Sequence, residues 1–262
     1  MKITGRLSLV ALSLMVLFPG WLAAEELETV VWKGRSLWIK RDPATQAPLI
    51  IRSLRGPLWT VKSGFPANRK QAAASGPELV AFLEPLIPVK PGQLQFKSAE
   101  KIAGSWYISF WQTEKNLIVY GSSLGYSIEA GGRIQSVGAV LYPDITVPEK
   151  LLVSRNQALK KAISRIKGFQ RLKYRLVAEN MLIFPDRAAR PLRYYQVYAF
   201  NFFPPEEARH PGAAEAGLGF FVDTQTGKIV DRQTLFKPLG CCVPEQGPPL
   251  DVEELYKSQI GK

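Results

Sequence analysis

The chain has 262 residues, which suits one or two domains of ~100–200 residues each. Hydrophobic residues make up 46% of it and aromatic residues 11%, so the chain can bury a core and intrinsic disorder is not expected. The net charge of +12 favours an anionic partner, such as a lipid surface, an acidic protein or a cell-wall polymer.

The N-terminus has the features of a secretory signal peptide. Lys2 and Arg6 precede an apolar run from Leu7 to Phe18, a Pro-Gly pair interrupts it, and small residues end at Ala24. An uncleaved membrane anchor is the alternative, but a spanning helix needs about 20 apolar residues and this run is shorter. We expect cleavage after Ala24 and a secreted or periplasmic mature protein, for which nucleic acid is not an expected partner.

The first half of the mature chain predicts strands, one helix and more strands. Residues 28–62 contain short β-type runs separated by turns, and residues 63–76 are typical of a connection. Ser75 is the predicted helix N-cap, because Pro77 fits the first turn and Glu78 completes a capping box. Pro85 and Pro88 mark the end of this helix. Its apolar stripe consists of Leu79, Val80, Phe82, Leu83 and Leu86.

Residues 94–140 predict an antiparallel meander with that helix packed in front of it. In the run WYISFWQ, Trp106, Ile108 and Phe110 alternate with residues of the opposite face. Residues 113–116 are typical of a turn. The sequence Ala-Gly-Gly at 130–132 predicts a tight hairpin turn, since glycine tolerates positive φ.

A second helix-and-strand unit follows. Ser154 can cap a helix that runs to about Lys167 and is closed by Gly168. After it, a predicted strand alternates apolar residues with a basic stripe formed by Arg171, Lys173 and Arg175. This stripe is a candidate partner-binding surface, although a solvated sheet face would have the same pattern.

The last predicted strands are joined by DTQTG, where Asp223 can bond turn amides and Gly227 supplies a left-handed position. After Asp231 the chain becomes rich in Pro and Gly, which predicts an extended tail. The tail contains two adjacent cysteines, Cys241 and Cys242, so no framework of disulfides is expected. They can be structural, bridge to another chain or stay reduced, and we count them as candidate partner-binding residues.

The sequence disfavours catalysis. His210 is the only histidine, so a zinc-protease motif with two histidines cannot be built, and its polar setting next to Pro211 is typical of an exposed loop. The acidic pairs at 206–207 and 253–254 are typical of surfaces, although an enzyme that uses carboxylates alone stays possible. We therefore expect a protein that is not an enzyme, with no metal site and no cofactor.

Two phrases of the chain resemble parts of one protease propeptide. Residues 221–230, FVDTQTGKIV, resemble the closing hairpin of the PepSY domain, and the helix from Ser154 and the strand at 191–200 stand where that domain expects them. Residues 110–144 resemble the FTP domain, the propeptide half of fungalysin and thermolysin-type proteases. The matching positions are Phe110, Gln112, Val119 and Gly121, with Asn116 where the family usually has glycine.

The resemblance implies an α+β protein with two cystatin-like units, each a helix with an antiparallel sheet. The expected divisions are a signal peptide at 1–24, an FTP-like domain at 25–145, a PepSY-like domain at 146–231 and a tail at 232–262. The family's zinc peptidase domain is missing, so the resemblance implies a free-standing propeptide that contacts, and inhibits or helps fold, a thermolysin-like metalloprotease in trans. The alternative is an envelope-associated structural or adhesion module whose basic face binds an anionic surface.

Overall fold

The computed structural model describes residues 27–205 and 215–237. The predicted signal peptide, His210 and both cysteines lie outside these residues. Contacts divide the chain into two units. Unit 1 contains residues up to Glu149 together with Leu182–Gln196, and unit 2 contains Lys150–Met181 together with the residues from Val197 onward.

Unit 1 is built on an eight-stranded sheet in the order β1-β2-β3-β10-β8-β6-β5, with β7 paired to β6. A separate two-stranded sheet pairs β4 with β9. The elements of the unit's first segment are β1 (Leu27–Trp32), β2 (Arg35–Arg41), β3 (Pro48–Ser53), β4 (Trp59–Thr60), α1 (Arg69–Leu83), β5 (Leu94–Ile102), β6 (Ser105–Glu114), β7 (Leu117–Ile118), β8 (Ser123–Ile128), β9 (Arg133–Ile134) and β10 (Ser136–Val140).

The predicted meander is confirmed, because β5, β6, β8 and β10 are antiparallel neighbours. Trp106, Ile108 and Phe110 are buried along β6, as the alternation predicted. The turn after β6 has Asn116 at φ 63°, and the Ala-Gly-Gly turn has Gly131 and Gly132 at φ 75° and 76°. The sequence did not predict that β3 pairs with β10 and so joins the N-terminal strands to the same sheet.

The predicted start of α1 is wrong. The helix begins at Arg69, within the predicted connection, because the Asn68 side chain accepts a hydrogen bond from the backbone N–H of Gln71 at 3.0 Å. Ser75 is buried inside the helix, and Pro77 lies in its interior. The helix stops at Leu83, two residues before the predicted stop at Pro85, and Leu86 of the predicted stripe lies in the turn that follows.

Unit 2 combines one helix with a four-stranded sheet in the order β11-β12-β13-β14, in which β12, β13 and β14 are antiparallel. Strands β11 and β12 are shared, because their residues 182–186 and 193–196 belong to unit 1. The elements are α2 (Arg155–Ile163), β11 (Arg175–Asp186), β12 (Arg193–Phe203), β13 (Glu215–Asp223) and β14 (Ile229–Lys237). Each unit therefore pairs one helix with an antiparallel sheet, which confirms the predicted α+β class.

Ser154 is the N-cap of α2, as predicted, and Gln157 completes a capping box that sequence reasoning did not predict. The helix ends at Ile163, earlier than predicted, because the next backbone bonds are the shorter i→i−3 type: Arg165 N–H donates to Ala162 and Ile166 N–H to Ile163. Strand β14 continues six residues beyond Asp231, where the sequence predicted loss of regular structure.

Candidate functional site

Asp42 holds together the loop between β2 and β3. Its carboxylate is buried, accepts a hydrogen bond from Ala44 N–H at 2.8 Å and forms an ion pair with Arg187, whose Nη2 lies 2.5 Å away. All three residues belong to unit 1, and Arg187 follows directly after β11. This ion pair joins the two chain segments of unit 1, and sequence reasoning did not pair these residues.

Gln112, a position of the FTP-like phrase, has a structural role. Its side chain is buried, donates from Nε2 to the Tyr142 carbonyl at 2.7 Å and accepts from Tyr142 N–H at 2.9 Å. The Gln112 side chain therefore satisfies the backbone N–H and C=O of Tyr142, as a neighbouring strand would do. Burial raises the pKa of the Tyr142 phenol, and the nearby Arg187 guanidinium lowers it by a smaller amount. These groups satisfy one another, and their contacts stabilise unit 1.

The closing hairpin of unit 2 has the geometry that the sequence predicted. Asp223 accepts hydrogen bonds from Gln225 N–H at 3.2 Å, Thr226 N–H at 3.1 Å and the Thr226 hydroxyl at 2.6 Å. Gly227 has φ 67°, and its N–H donates to the Asp223 carbonyl at 2.9 Å. The Thr224 carbonyl accepts from two N–H groups just before α2, so the turn also positions the helix start.

The basic stripe is not a sheet face as predicted. Arg171 and Lys173 lie in turns before β11, Lys173 has φ 50°, and only Arg175 lies in a strand. The strand cannot begin earlier because Leu172 N–H donates back to the Gly168 carbonyl at 2.8 Å and Tyr174 N–H to Phe169 at 3.2 Å. The three basic side chains are nevertheless exposed.

These three residues are part of a larger group of cations, which we name the cationic segment, residues 160–175. It comprises the last turn of α2, the turns that follow and the first residue of β11. No Asp or Glu occurs between residues 150 and 178, and the next one, Glu179, forms a bidentate ion pair with Arg155 at 2.6 and 2.8 Å. The segment's exposed cations are Lys160, Lys161, Arg165, Lys167, Arg171, Lys173 and Arg175.

Sequence reasoning did not assign the cations of α2 to a partner. The signal that identifies them is the 29-residue absence of acidic residues from 150 to 178, which spans the helix, the turns and the strand start alike. The alternation of a predicted strand identified only three of the seven cations. Cys241 and Cys242, the other candidate residues, lie outside the described residues.

The described residues show no centre for metal chemistry. Among residues 27–205 and 215–237, no group of three or more His, Cys, Asp or Glu side chains is placed to hold a metal ion. In the same ranges, no helix is both long and apolar enough to cross a membrane.

No protein-family model matches the chain, and no curated protein matches its sequence. Two solved structures are similar at low TM-score. The Bacillus megaterium YpeB C-terminal domain has 15% identity and a TM-score of 0.35, with 88% of this chain and 98% of that chain covered. An uncharacterized protein from Eubacterium rectale has 8% identity and a TM-score of 0.37, with 79% of this chain and 76% of that chain covered. At these TM-scores neither similarity assigns a function.

Proposed function

We propose that the chain is an exported, non-catalytic binding module that acts as a free-standing propeptide on a secreted thermolysin-like metalloprotease. The observation that carries the proposal is that motif residues of the resemblance have structural roles: Gln112 and Asp223 are buried and hydrogen-bonded, and Gly227 has the positive φ that the hairpin needs. Gln112 bonds the Tyr142 backbone, and Asp223 and Gly227 shape the closing hairpin. Their roles are those expected of fold-defining positions in two propeptide-like units.

Export is the first part of this proposal. N-terminal sequencing of the mature protein should begin at Glu25, because Ala24 is the best residue available before a cleavage site. An exported protein that still contains Lys2 would contradict it.

Action on a protease is tested by titrating the mature protein against a thermolysin-like enzyme from the same source, with peptide hydrolysis and refolding yield as readouts. The Pro- and Gly-rich tail can lie extended along a cleft as a substrate does. A variant truncated after Lys237 keeps all of β14, so it should bind with similar affinity and inhibit less. A full-length protein that neither binds nor slows the enzyme, nor improves its refolding, would refute the protease proposal.

The cysteines allow a finer test of the tail. A Cys241 or Cys242 thiolate is a possible ligand for an active-site zinc. Full-length variants with Cys241→Ser and Cys242→Ser separate such ligation from simple obstruction of the cleft. Unchanged inhibition by both variants assigns inhibition to obstruction.

The cationic segment favours a second function, in which the module binds an anionic envelope surface. Its seven exposed cations have no acidic neighbour in sequence between residues 150 and 178. Exposed charges are screened over about 8 Å at physiological ionic strength, so this binding should weaken steeply with salt. A packed interface with a protease should weaken less, and a salt titration therefore separates the two functions.

A further inference from the structure

We infer that the cationic segment docks unit 2 on the surface of a bilayer that contains anionic phospholipid. The inference rests on the second proposed function and names its ligand. The structure supplies three features that together fit a lipid surface: a concentration of unopposed charge, a rigid support for it and an exposed apolar side chain among the cations.

Within residues 27–205 and 215–237, no ion pair joins any of the segment's seven cations to an acidic side chain. All seven cations of the segment are exposed, and the nearest acidic side chain in the sequence, Glu179, is occupied by Arg155. Lys160 and Lys161 also lie in the last turn of α2, where cations interact favourably with the helix dipole. That explanation does not extend to Arg165, Lys167, Arg171 and Lys173, which follow the helix end.

The segment is held by its own inward-facing residues. Ile166 is buried, and Phe169 and Tyr174 pack against the core of unit 2. The Phe169 ring meets the Phe202 ring edge to face, with 5.8 Å between centroids. Backbone hydrogen bonds donated by residues 165, 166, 169, 172, 173 and 174 hold the turns between these anchors. A segment that is already ordered loses little conformational freedom when it binds a surface.

Leu172 is the feature that favours lipid over a soluble polyanion. Its side chain is 41% exposed although it stands between Arg171 and Lys173. Val177, two residues after Arg175, is 58% exposed. Cations attract the phosphate-bearing headgroups, and an apolar side chain among them can enter the boundary between headgroups and acyl chains. A soluble polyphosphate offers the charge without the apolar layer.

The test is co-sedimentation of the full-length mature protein with vesicles of equal parts phosphatidylglycerol and phosphatidylcholine. Binding should be absent with phosphatidylcholine alone. Each Lys or Arg near an anionic surface contributes about fivefold in affinity, so the quadruple variant R165Q/K167Q/R171Q/K173Q should bind roughly several hundredfold more weakly. The matched control R55Q/K62Q/K70Q/K90Q removes four exposed cations of unit 1 and should bind normally. Equal loss in both variants would overturn the inference.

Leu172→Ser separates lipid from other polyanions and keeps the test valid if the quadruple variant fails to fold. It should weaken vesicle binding severalfold and leave the affinity for inorganic polyphosphate unchanged. Vesicle binding that is unaffected by Leu172→Ser overturns the apolar part of the inference. Binding to polyphosphate with no binding to vesicles overturns the lipid assignment and leaves the anionic-surface function standing. Absence of binding to both vesicles and polyphosphate refutes the lipid assignment and the anionic-surface function.

Discussion

Helices α1 and α2 each pack on one face of an antiparallel sheet, but the two contacts are built differently. The buried residues of α1 are Ala72, Ser75, Gly76, Leu79, Val80 and Leu83, and at Gly76 the backbone approaches the sheet closely. A Cβ added at Gly76 would lie 2.2 Å from Cζ of Phe110, so no larger residue fits. The Ser75 hydroxyl lies 2.7 Å from the Tyr126 hydroxyl, in a buried polar pair.

In α2 the contact residues are two alanines, Ala158 and Ala162, in one core with Phe200, Phe202 and Phe220. The ring centroids of Phe202 and Phe220 are 6.0 Å apart, in an edge-to-face arrangement. Aromatic side chains therefore supply much of the volume of this core.

The comparison separates two ways to position a helix. The close approach of α1 to its sheet and the buried hydroxyl pair together select one placement of this helix. The side-chain burial that results offsets the roughly 3 kcal/mol cost of Pro77 in the helix interior. Alanine against phenylalanine rings supplies burial with less shape specificity. We therefore expect atoms added where α1 contacts its sheet to lower the stability of unit 1. In unit 2, we expect the loss of stability to come from atoms removed from the sheet.

The largest effect is expected from Phe202→Ala, since this side chain is fully buried at the centre of the unit 2 core. Loss of a buried phenylalanine should lower the free energy of unfolding by about 3–5 kcal/mol. Faster amide hydrogen exchange in β13 would report it. The exposed Leu172→Ala is the control and should stay within about 0.5 kcal/mol of the parent. Equal effects of the two substitutions would contradict the proposed core.

Gly76→Ala tests the close approach of α1. The Phe110 ring cannot move aside easily, because it packs against Phe96 and Tyr126 with centroids 5.8 and 6.4 Å away. We expect a loss of about 1–3 kcal/mol from overpacking, despite the better helix propensity of alanine. Urea unfolding followed by tryptophan fluorescence measures it.

The control for Gly76→Ala is Gly92→Ala, where an added Cβ meets nothing within 4 Å. It should leave the urea midpoint unchanged. Equal urea midpoints for Gly76→Ala and the control would show that α1 can shift away from the sheet at little cost.

Gly227→Val tests the closing hairpin of unit 2 at its φ of 67°. A β-branched residue in this region should cost about 1–3 kcal/mol from backbone strain. Gly227→Asn is the matched control and should cost less, because Asn tolerates left-handed φ. Thermal melting distinguishes the two, and identical melting of Val and Asn variants would rule out the assigned conformation.

The smallest effect concerns alkaline pH and unit 1. Burial, with a further contribution from the Asp144 charge, raises the pKa of Tyr194 to about 12. The unfolded phenol ionises near pH 10, so the contribution of Tyr194 is complete below that pH and is lost between about pH 10 and 12. Tyr194→Phe should show a flatter decline of stability over this window, measured by urea unfolding. A decline as steep as that of the parent would assign the loss to other groups.

Sequence reasoning predicted the elements whose signals are local. The alternation along β6, the Ser154 N-cap and the Asp223–Gly227 turn are confirmed in position. It failed at the start of α1, because Ser75-Gly76-Pro77-Glu78 has the pattern of a capping box while Asn68, with a weaker pattern, forms the cap. Local chemistry allowed both sites, and burial of Ser75 against Tyr126 decided between them.

Long-range pairing was out of reach for a different reason. Asp42 and Arg187 are separated by 145 positions, and neither residue type indicates the other as its partner. The cationic segment was detected through its charge, but its backbone was predicted as strand because alternating apolar and basic residues fit a strand as well as a series of turns. Only the backbone bonds to Gly168 and Phe169 distinguish these conformations.

The Asp42–Arg187 ion pair also has a consequence for the order in which the protein is completed. A chain that emerges from a ribosome or a secretion pore presents Asp42 long before Arg187. The carboxylate that will be buried in unit 1 must therefore stay hydrated until residues 182–196 have appeared, and residues 150–181 of unit 2 appear before them. We expect unit 1 to be the first unit to begin folding during synthesis and to finish only after all of α2 and β11 has emerged.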